Sequence, residues 1–214
     1  MKFTMKTRNP IVRFSTLLLA VFVTAALSSC RRAPSPAAQA GTTVQPVKVE
    51  LRNTAGKFQL HVNGQPFYIK GAGVEFGSPE QLRAHGGNSM RTWSTENGRD
   101  TGKQFLDRAL TNGLYVAMGL DVDHERRGFD YDNTNAVAKQ FALLKAQVLE
   151  YRNHPALLLW VVGNELNFEK NPKVWDAVNE LARMIHEVDP NHPTTTTLAG
   201  FNPATVKLVK TRTP

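Results

Sequence analysis

A carboxylate directly follows the most apolar segment of the chain. Seven apolar residues, 156–162, precede Gly163, Asn164 and Glu165. Several of the seven are β-branched or aromatic, which predicts a strand buried on both faces, as in a parallel sheet covered by helices. Such sheets and barrels carry their chemistry at the carboxyl ends of the strands. The position nominates Glu165 as a general acid/base, because that role needs a carboxyl group held rigidly and partly out of water.

Asn164 lies beside this carboxylate. Its amide could donate a hydrogen bond to a substrate hydroxyl while it orients Glu165. The alternative is a structural carboxylate that caps the following helix or pairs with an arginine. An Asn-Glu pair alone separates these interpretations weakly, and the buried strand before it favours the catalytic one.

Arg91 interrupts a second strand-like segment, residues 88–93. Alternation along a strand puts Arg91 on the same face as Ser89 and Trp93. A buried arginine must be paired, so this interpretation requires a carboxylate near that face. The alternative is an outward Arg91 whose aliphatic stem runs past a helix. Trp93 could be a platform for a sugar ring or part of the core, and the sequence leaves both open.

Further acidic residues follow other predicted strands. Glu75 follows the first strand, and Asp121 follows the third, together with an Asp, a His and a Glu at 123–125. The spacing fits no recognisable ligand set, so we expect neither a metal nor another cofactor. Glu75 and Asp121 are candidate substrate contacts, with hydrated loops as the alternative.

Residues 1–29 have the pattern of a signal peptide. Four basic residues and no acidic residue accompany an apolar segment, 14–27, that is short for a membrane span. Small residues then lead to Cys30, the only cysteine, so no disulfide can form within the chain. This junction resembles the lipobox of bacterial lipoproteins. The resemblance implies that Cys30 is lipidated and anchors the protein in the membrane of the bacterial cell envelope, facing the periplasm or the cell surface. An ordinary signal peptide with an incidental cysteine is the alternative.

The charge balance gives little support to a nucleic-acid partner. Four of the 26 Lys and Arg residues precede residue 30, which leaves 22 against 18 Asp and Glu residues, a net charge of +4. Arg31 and Arg32 could contact anionic lipid headgroups beside the anchor. The other basic residues are mixed with acidic ones, without a basic stripe that alternates with aromatic residues. The oligomeric state stays open.

Residues 30–46 are rich in Ala, Pro, Ser, Gln and Thr and are predicted to be a flexible tether. The folded domain is therefore predicted at 47–214. A β-hairpin pattern opens it, with a turn signal at Asn63-Gly64. Short strands are predicted around the turn, at 47–51, 58–62 and 67–69.

Strands and helices alternate after the hairpin. The longest helix pattern, 137–151, has a clear apolar stripe and places Gln140 on the polar face. Alternation of this kind predicts an α/β fold with a parallel sheet and right-handed crossovers. The five strands are predicted at 67–71, 88–93, 114–120, 156–162 and 194–198.

Four segments of this domain resemble the barrel domain of clan A glycoside hydrolases. Family 2, with its β-galactosidases, β-glucuronidases and β-mannosidases, is the most similar, and fungal-type β-1,3-glucanosyltransferases are similar over the same stretches. The resemblance implies a (β/α)8 TIM barrel and runs from about residue 47 to the end. The fourth segment is specific and the others are supportive. The segments are VNGQPFYIKGAG (62–73), GGNSMRTWS (86–94), GLYVAMGL (113–120) and HPALLLWVVGNELN (154–167).

The resemblance also implies roles for individual residues. The family's acid/base, a Glu that follows Asn at the end of strand four, corresponds to Glu165. The Asn that contacts the sugar 2-hydroxyl corresponds to Asn164, and the strand-two arginine that supports the carboxylates corresponds to Arg91. The implied activity is retaining hydrolysis of a β-linked oligo- or polysaccharide. That reaction needs a second carboxylate, the nucleophile, at about 5–5.5 Å from the first.

The sequence departs from the family in one respect that affects activity. The family's nucleophile is a Glu at the end of strand seven, and the pattern here ends after about strand five. Residues 67–214 supply 148 residues, whereas a complete barrel takes about 250. The family 2 sandwich domains are not found either. We therefore expect a barrel truncated after about strand five, a nucleophile beyond the chain end, and little hydrolase activity from this chain alone. A non-catalytic glycan-binding lipoprotein, a decayed pseudoenzyme and a transglycosylase are the alternatives.

Overall fold

The computed structural model describes residues 45–74, 77–96, 99–168, 170–200 and 202–213. They belong to one compact unit, Thr43–Pro214. The predicted signal peptide, Cys30, most of the predicted tether and Glu75 lie outside the described residues. Among the residues that are described, no helix is long and apolar enough to cross a membrane.

Three short strands form an antiparallel sheet at the start of the domain: β1 (Val49–Thr54), β2 (Lys57–Val62) and β3 (Gln65–Pro66). β1 and β2 are joined by Ala55 and Gly56, which both have positive φ, 52° and 81°. Two left-handed residues in a two-residue loop match the right-handed twist of the flanking strands. The sequence did not predict this turn, because alanine is an unusual residue in the left-handed region.

The second turn forms where it was predicted. Asn63 and Gly64 have φ of 48° and 79° and connect β2 to β3. The predicted returning strand at 67–69 is wrong, since β3 ends at Pro66. Pro66 has no N–H to continue a ladder, and Phe67 then packs edge-on against the Tyr115 ring, 5.4 Å between centroids.

Five parallel strands alternate with helices in the rest of the domain, and their order in the sheet is their order in the chain. This confirms the α/β class and the parallel sheet, and it is the arrangement of part of a TIM barrel. Within the described residues the sheet is open, with β4 and β8 at its edges. The elements are β4 (Gly71–Gly73), α1 (Pro79–Ala84), β5 (Ser89–Arg91), α2 (Gly102–Thr111), β6 (Tyr115–Leu120), α3 (Thr134–Tyr151), β7 (Leu157–Asn164), α4 (Lys173–Val188), β8 (Thr194–Thr197) and α5 (Pro203–Arg212), with 3-10 turns at Glu125–Arg127 and Leu166–Phe168.

Two strand boundaries differ from the prediction in ways that affect the site. The first parallel strand was predicted at 67–71, which is wrong, because β4 contains only Gly71–Gly73. Glycine has low strand propensity. The strand was therefore predicted at the aromatic residues that precede Gly71, and not at the glycines themselves. β7 continues two residues past the predicted end at Val162 and includes Asn164.

The helices α1 and α2 begin where side chains satisfy their first N–H groups. Ser78 caps α1, with its hydroxyl accepting from the Gln81 N–H at 3.2 Å, and Pro79 is the first helical residue. Thr101 and Gln104 form a reciprocal capping box at α2. These caps fix the start of each helix against the strand that precedes it.

β7 is buried on both faces, as its unbroken apolar sequence predicts. Trp160 and Val162 belong to the main apolar cluster between the sheet and the helices. Leu158 belongs to a second cluster with Val49 and Val62 of the hairpin sheet. The hairpin sheet therefore packs against the opposite face of the parallel sheet.

A buried polar group holds β7 to the end of α4. The Trp160 indole N–H donates to Asp189 Oδ2 at 2.7 Å. The other oxygen of Asp189 accepts the Asn191 N–H at 3.2 Å, and His192 Nδ1 lies 2.9 Å from both oxygens. These contacts satisfy a carboxylate that burial would otherwise destabilise.

The assignment of Gln140 to the polar face of its helix is wrong. Its side chain is buried, and its Oε1 accepts the backbone N–H of Asp123 at 2.6 Å. A backbone N–H that is withdrawn from water requires an acceptor. The Gln140 side chain of α3 supplies that acceptor to the loop after β6. The amide therefore fastens that loop to the helix.

The packing of β5 against β6 requires a glycine at position 119. A Cβ there would lie 2.4 Å from the backbone carbon of Trp93 and 2.5 Å from its oxygen. We expect Gly119→Ala to lower the free energy of unfolding by about 1–3 kcal/mol, because the two strands must separate. Urea unfolding of the whole chain measures the change.

The matched control is Gly77→Ala, where the added methyl meets only a side-chain methyl of Val74 at 3.3 Å. We expect a distinctly smaller loss there. Equal stabilities for the two variants would contradict the packing described for β5 and β6.

Candidate active site

The carboxyl ends of three strands meet through the side chain of Arg91. Arg91 ends β5, Asn164 ends β7 and Thr197 ends β8. Arg91 Nη2 donates to Asn164 Oδ1 at 2.6 Å and to Thr197 Oγ1 at 3.1 Å. The Thr197 hydroxyl donates to Asn164 Oδ1 at 3.2 Å, which closes a ring of three hydrogen bonds. We call this arrangement the Arg91–Asn164–Thr197 ring.

The path of Arg91 crosses the intervening strand β6. The residue of β6 paired with Arg91 is Ala117, whose small side chain leaves room for the guanidinium. Arg91 therefore lies on the inner face of the sheet, not against the helices, so the outward alternative is wrong. Its partners are the oxygens of two neutral side chains, whereas the sequence predicted a carboxylate.

Two opposing effects act on the pKa of Arg91. Burial lowers it from the usual range of an arginine, and the negative charge of Glu165 raises it. A guanidinium nevertheless stays protonated in proteins. Arg91 Nε is buried and has no hydrogen-bond partner among the described residues.

Glu165 follows β7 with a left-handed backbone, φ 57°. Its N–H donates to the Thr197 carbonyl oxygen at 2.9 Å, so the main chain is held to β8. Gly163, on the other side of Asn164, also has a positive φ of 74°, and a Cβ there would lie 2.4 Å from Leu166 Cδ1. The chain turns sharply on both sides of Asn164.

Glu165 as a whole residue is half-buried, and its carboxylate follows the end of β7. Within the part of the chain that the structure describes, it forms no hydrogen bond or ion pair, and α4 has no side-chain cap. The structural alternatives of a helix cap or an arginine pair are therefore not what the structure shows. A carboxylate that is fixed by its backbone and free at its oxygens can exchange a proton with a ligand.

Trp93 lies where a ligand could stack on it. The residue is 39% exposed, and the Arg91 guanidinium carbon lies 5.3 Å from the ring centroid. Gly73 of β4 supports the ring, since a Cβ there would lie 2.8 Å from Trp93 Cη2. A supported and accessible aromatic face is suited to packing against the apolar face of a sugar ring.

A cleft of about 220 Å³ opens on the inner face of the sheet beside these residues, and its lining includes Gly73, Arg91 and Ala117. A larger groove, about 500 Å³, lies between α3 and α4 and is lined by helix side chains such as Phe141 and Ala177. We assign the candidate site to the strand ends next to the smaller cleft, because Arg91, which lines that cleft, is hydrogen-bonded there to the polar side chains that end β7 and β8.

The remaining candidates lie in the loop after β6 or, like Glu75, outside the described residues. Asp121 is exposed and accepts two hydrogen bonds from Arg127, at 2.7 and 2.8 Å. Glu125 Oε2 accepts the backbone N–H groups of Lys170 and Asn171 at 2.5 and 3.1 Å, which joins the loops after β6 and β7. Over the described ranges, no group of His, Cys, Asp and Glu could hold a metal ion.

Thr197 is the functional candidate that the sequence did not suggest. It is one of four consecutive threonines, 194–197. Nothing in their pattern distinguishes the last from the others, and only the register of β8 on β7, which pairs Thr197 with Asn164, brings it to the site.

Comparisons with solved structures show the fold. The β-glucuronidase of Faecalibacterium prausnitzii is 21% identical with a TM-score of 0.58, over 74% of this chain and 29% of that chain. A glycosyl hydrolase family 2 member from Bacteroides cellulosilyticus is 21% identical with a TM-score of 0.55, over 77% of this chain and 23% of its own. The β-mannanase of the blue mussel Mytilus edulis is 17% identical with a TM-score of 0.54, over 79% of this chain and 72% of its own.

No protein-family model and no curated protein matches the sequence. The chain has the fold of part of these glycoside hydrolases and spans less than a third of the length of the two bacterial ones.

The backbone at position 165 should carry a measurable conformational cost. A side chain in the left-handed region costs about 1–2 kcal/mol, which glycine avoids. We expect Glu165→Gly to be about 0.5–1 kcal/mol more stable than Glu165→Ala, after the extra chain entropy of glycine is counted. Urea unfolding of the two variants measures the difference, and an alanine variant at least as stable as the glycine variant would refute the strain.

The support of Trp93 by Gly73 can be tested by fluorescence. Trp160 and Trp175 are buried, so acrylamide should quench chiefly Trp93. We expect Gly73→Ala to displace the ring from β4 and to increase quenching. Trp93→Phe serves as the control, because it should remove the quenchable component. Unchanged quenching in Gly73→Ala would contradict the contact.

Proposed function

We propose that this chain is part of a retaining glycoside hydrolase that acts on β-linked glycans, with Glu165 as general acid/base. The observation that carries the proposal is the state of Glu165. Its carboxylate follows a buried strand, makes no bond within the described residues, and neighbours the Arg91–Asn164–Thr197 ring. The glycoside hydrolases that share this fold support the same class of reaction.

Each residue of the site has a place in that reaction. Glu165 would donate its proton to the glycosidic oxygen as the bond from that oxygen to the anomeric carbon breaks. A second carboxylate, the nucleophile, would form a covalent bond to the anomeric carbon in the same step. Water would then attack the anomeric carbon and displace the nucleophile carboxylate, while Glu165 accepts the proton of that water. We expect the nucleophile on strand seven, outside this sequence.

The neighbouring residues would bind and orient the sugar. Asn164 Nδ2 forms no hydrogen bond within the described part of the chain and could donate to a sugar hydroxyl. Trp93 could stack on the ring. The positive charge of Arg91 would stabilise carboxylates on the inner face. Asp121 and Glu75 remain proposed contacts at the rim.

We also propose that Cys30 anchors the protein to a membrane. The support is the sequence alone: a basic and apolar leader, small residues before the cysteine, and a polar tether at 31–46. In this proposal the domain faces a glycan in the bacterial cell envelope.

The role of Glu165 predicts a dependence on the leaving group. In a protein that contains this segment together with strand seven, we expect Glu165→Gln to slow hydrolysis of a phenyl β-glycoside by about 10²–10⁴-fold. The 2,4-dinitrophenyl glycoside should be affected far less, because that leaving group needs no proton. Initial rates on the two substrates measure the effect, and equal losses would exclude the acid role.

The 214-residue chain itself offers a second readout. We expect it to bind β-linked oligosaccharides without turnover and Trp93→Ala to weaken that binding. A chain that binds none of them would contradict the glycan site. A protein that has strand seven, binds glycans and behaves identically with Glu165→Gln would be a non-catalytic binder.

A further inference from the structure

We propose that Thr197 is the positioning residue that fixes the side-chain amide of Asn164, so that Oδ1 faces the protein and Nδ2 is left for a ligand oxygen. This inference rests on the proposed function, since the ligand is the glycan proposed for the same site. It adds a residue from β8 to a site otherwise formed by β5 and β7.

Thr197 contacts each of the three principal site residues. Its hydroxyl accepts from Arg91 Nη2 at 3.1 Å and donates to Asn164 Oδ1 at 3.2 Å. Its carbonyl oxygen accepts the Glu165 N–H at 2.9 Å. The side chain therefore acts on Arg91 and Asn164, whereas the main chain acts on Glu165.

The hydrogen-bond directions in this ring follow from the Arg91 guanidinium, which can donate hydrogen bonds but cannot accept them. Arg91 has only donors, so Thr197 Oγ1 must accept from it, and the single hydroxyl hydrogen is then free to point to Asn164. Asn164 Oδ1 thus receives two hydrogen bonds. A rotation of the amide by 180° would put its NH₂ against Arg91 Nη2, a donor 2.6 Å away, and against the hydroxyl hydrogen.

Without the Thr197 hydroxyl, the orientation of the Asn164 side-chain amide is less firmly fixed, for two reasons. Arg91 Nη2 loses one of its two acceptors, and Arg91 Nε already has none among the described residues. The guanidinium would then be free to turn toward the nearby charge of Glu165. Asn164 Oδ1 would keep one donor at most, so its amide would sample more than one orientation.

The chain offers matched variants that separate the hydroxyl from the strand. Thr197→Val keeps the branched shape and the backbone bond to Glu165 but lacks the hydroxyl. Thr197→Ser keeps the hydroxyl and loses a methyl group. Thr195→Val is the control on the same strand, because Thr195 is exposed and its hydroxyl bonds, within the described residues, only to the Thr196 carbonyl oxygen at 3.4 Å.

The first measurement needs no ligand. In ¹H–¹⁵N spectra of the whole chain, we expect the Asn164 side-chain NH₂ signals to be alike in wild type, Thr197→Ser and Thr195→Val. We expect them to shift or broaden in Thr197→Val. Signals unchanged in Thr197→Val would overturn the proposal. If Thr197→Val fails to fold by its melting transition, Thr197→Ala provides the hydroxyl-free variant.

The second measurement uses two probes, β-1,4-mannotetraose and phenyl β-glucuronide, titrated calorimetrically. For a probe that binds wild type, we expect Thr197→Val to weaken binding about tenfold, roughly the loss of one hydrogen bond to a charged group. Thr197→Ser and Thr195→Val should stay within about twofold by the same measure. Equal affinities in Thr197→Val and wild type would overturn the role in binding.

The two measurements together distinguish a failure of the proposed glycan ligand from a failure of the positioning role of Thr197. Absence of binding by wild type to either probe, with the spectral change still seen in Thr197→Val, would count against the proposed ligand and support the positioning by Thr197. Binding of a probe by wild type, with no spectral change in Thr197→Val, would support the proposed ligand and count against the positioning by Thr197.

Discussion

The candidate site depends on the burial of one guanidinium on the inner face of a sheet. Arg91 is partly withdrawn from water, which lowers its pKa, and a charged group in that position must find hydrogen-bond acceptors. Among the described residues it finds them only at the ends of β7 and β8, in Asn164 and Thr197. The strand ends must therefore meet in one register, and a small residue must stand on β6 where the arginine crosses. Ala117 meets that need.

The same constraint explains why Glu165 remains free. Neutral oxygens accept the hydrogen bonds of Arg91 Nη2, and the Glu165 carboxylate lies near the guanidinium charge without forming an ion pair with it. Its place is fixed by the main chain, through the left-handed backbone and the bond to Thr197. β7 is in turn held to the end of α4 by the bond from Trp160 to Asp189. A strand anchored on both faces and a free carboxylate at its end are the combination that proton transfer to a bound ligand requires.

The sequence predicted those parts of the fold that depend on local pattern, and missed those that depend on pairing between distant segments. The apolar run of β7 predicted a buried strand, and Asn63-Gly64 predicted the turn between β2 and β3. The glycine strand β4 was misplaced because its residues are selected for close approach to Ser89 and Trp93, not for strand propensity. Gln140 and Thr197 were missed for a related reason. Their partners, the Asp123 N–H and the Arg91–Asn164 pair, are brought to them only by tertiary packing.

A crystal structure of a protein that contains this segment, bound to a sulfur-linked β-disaccharide that resists hydrolysis, tests the central claim most directly. The account predicts the linking sulfur within hydrogen-bonding distance of a Glu165 oxygen, a sugar hydroxyl on Asn164 Nδ2, and the Arg91–Asn164–Thr197 ring intact. A disaccharide bound elsewhere, such as the groove between α3 and α4, or Glu165 turned into an ion pair with Arg91, would contradict it.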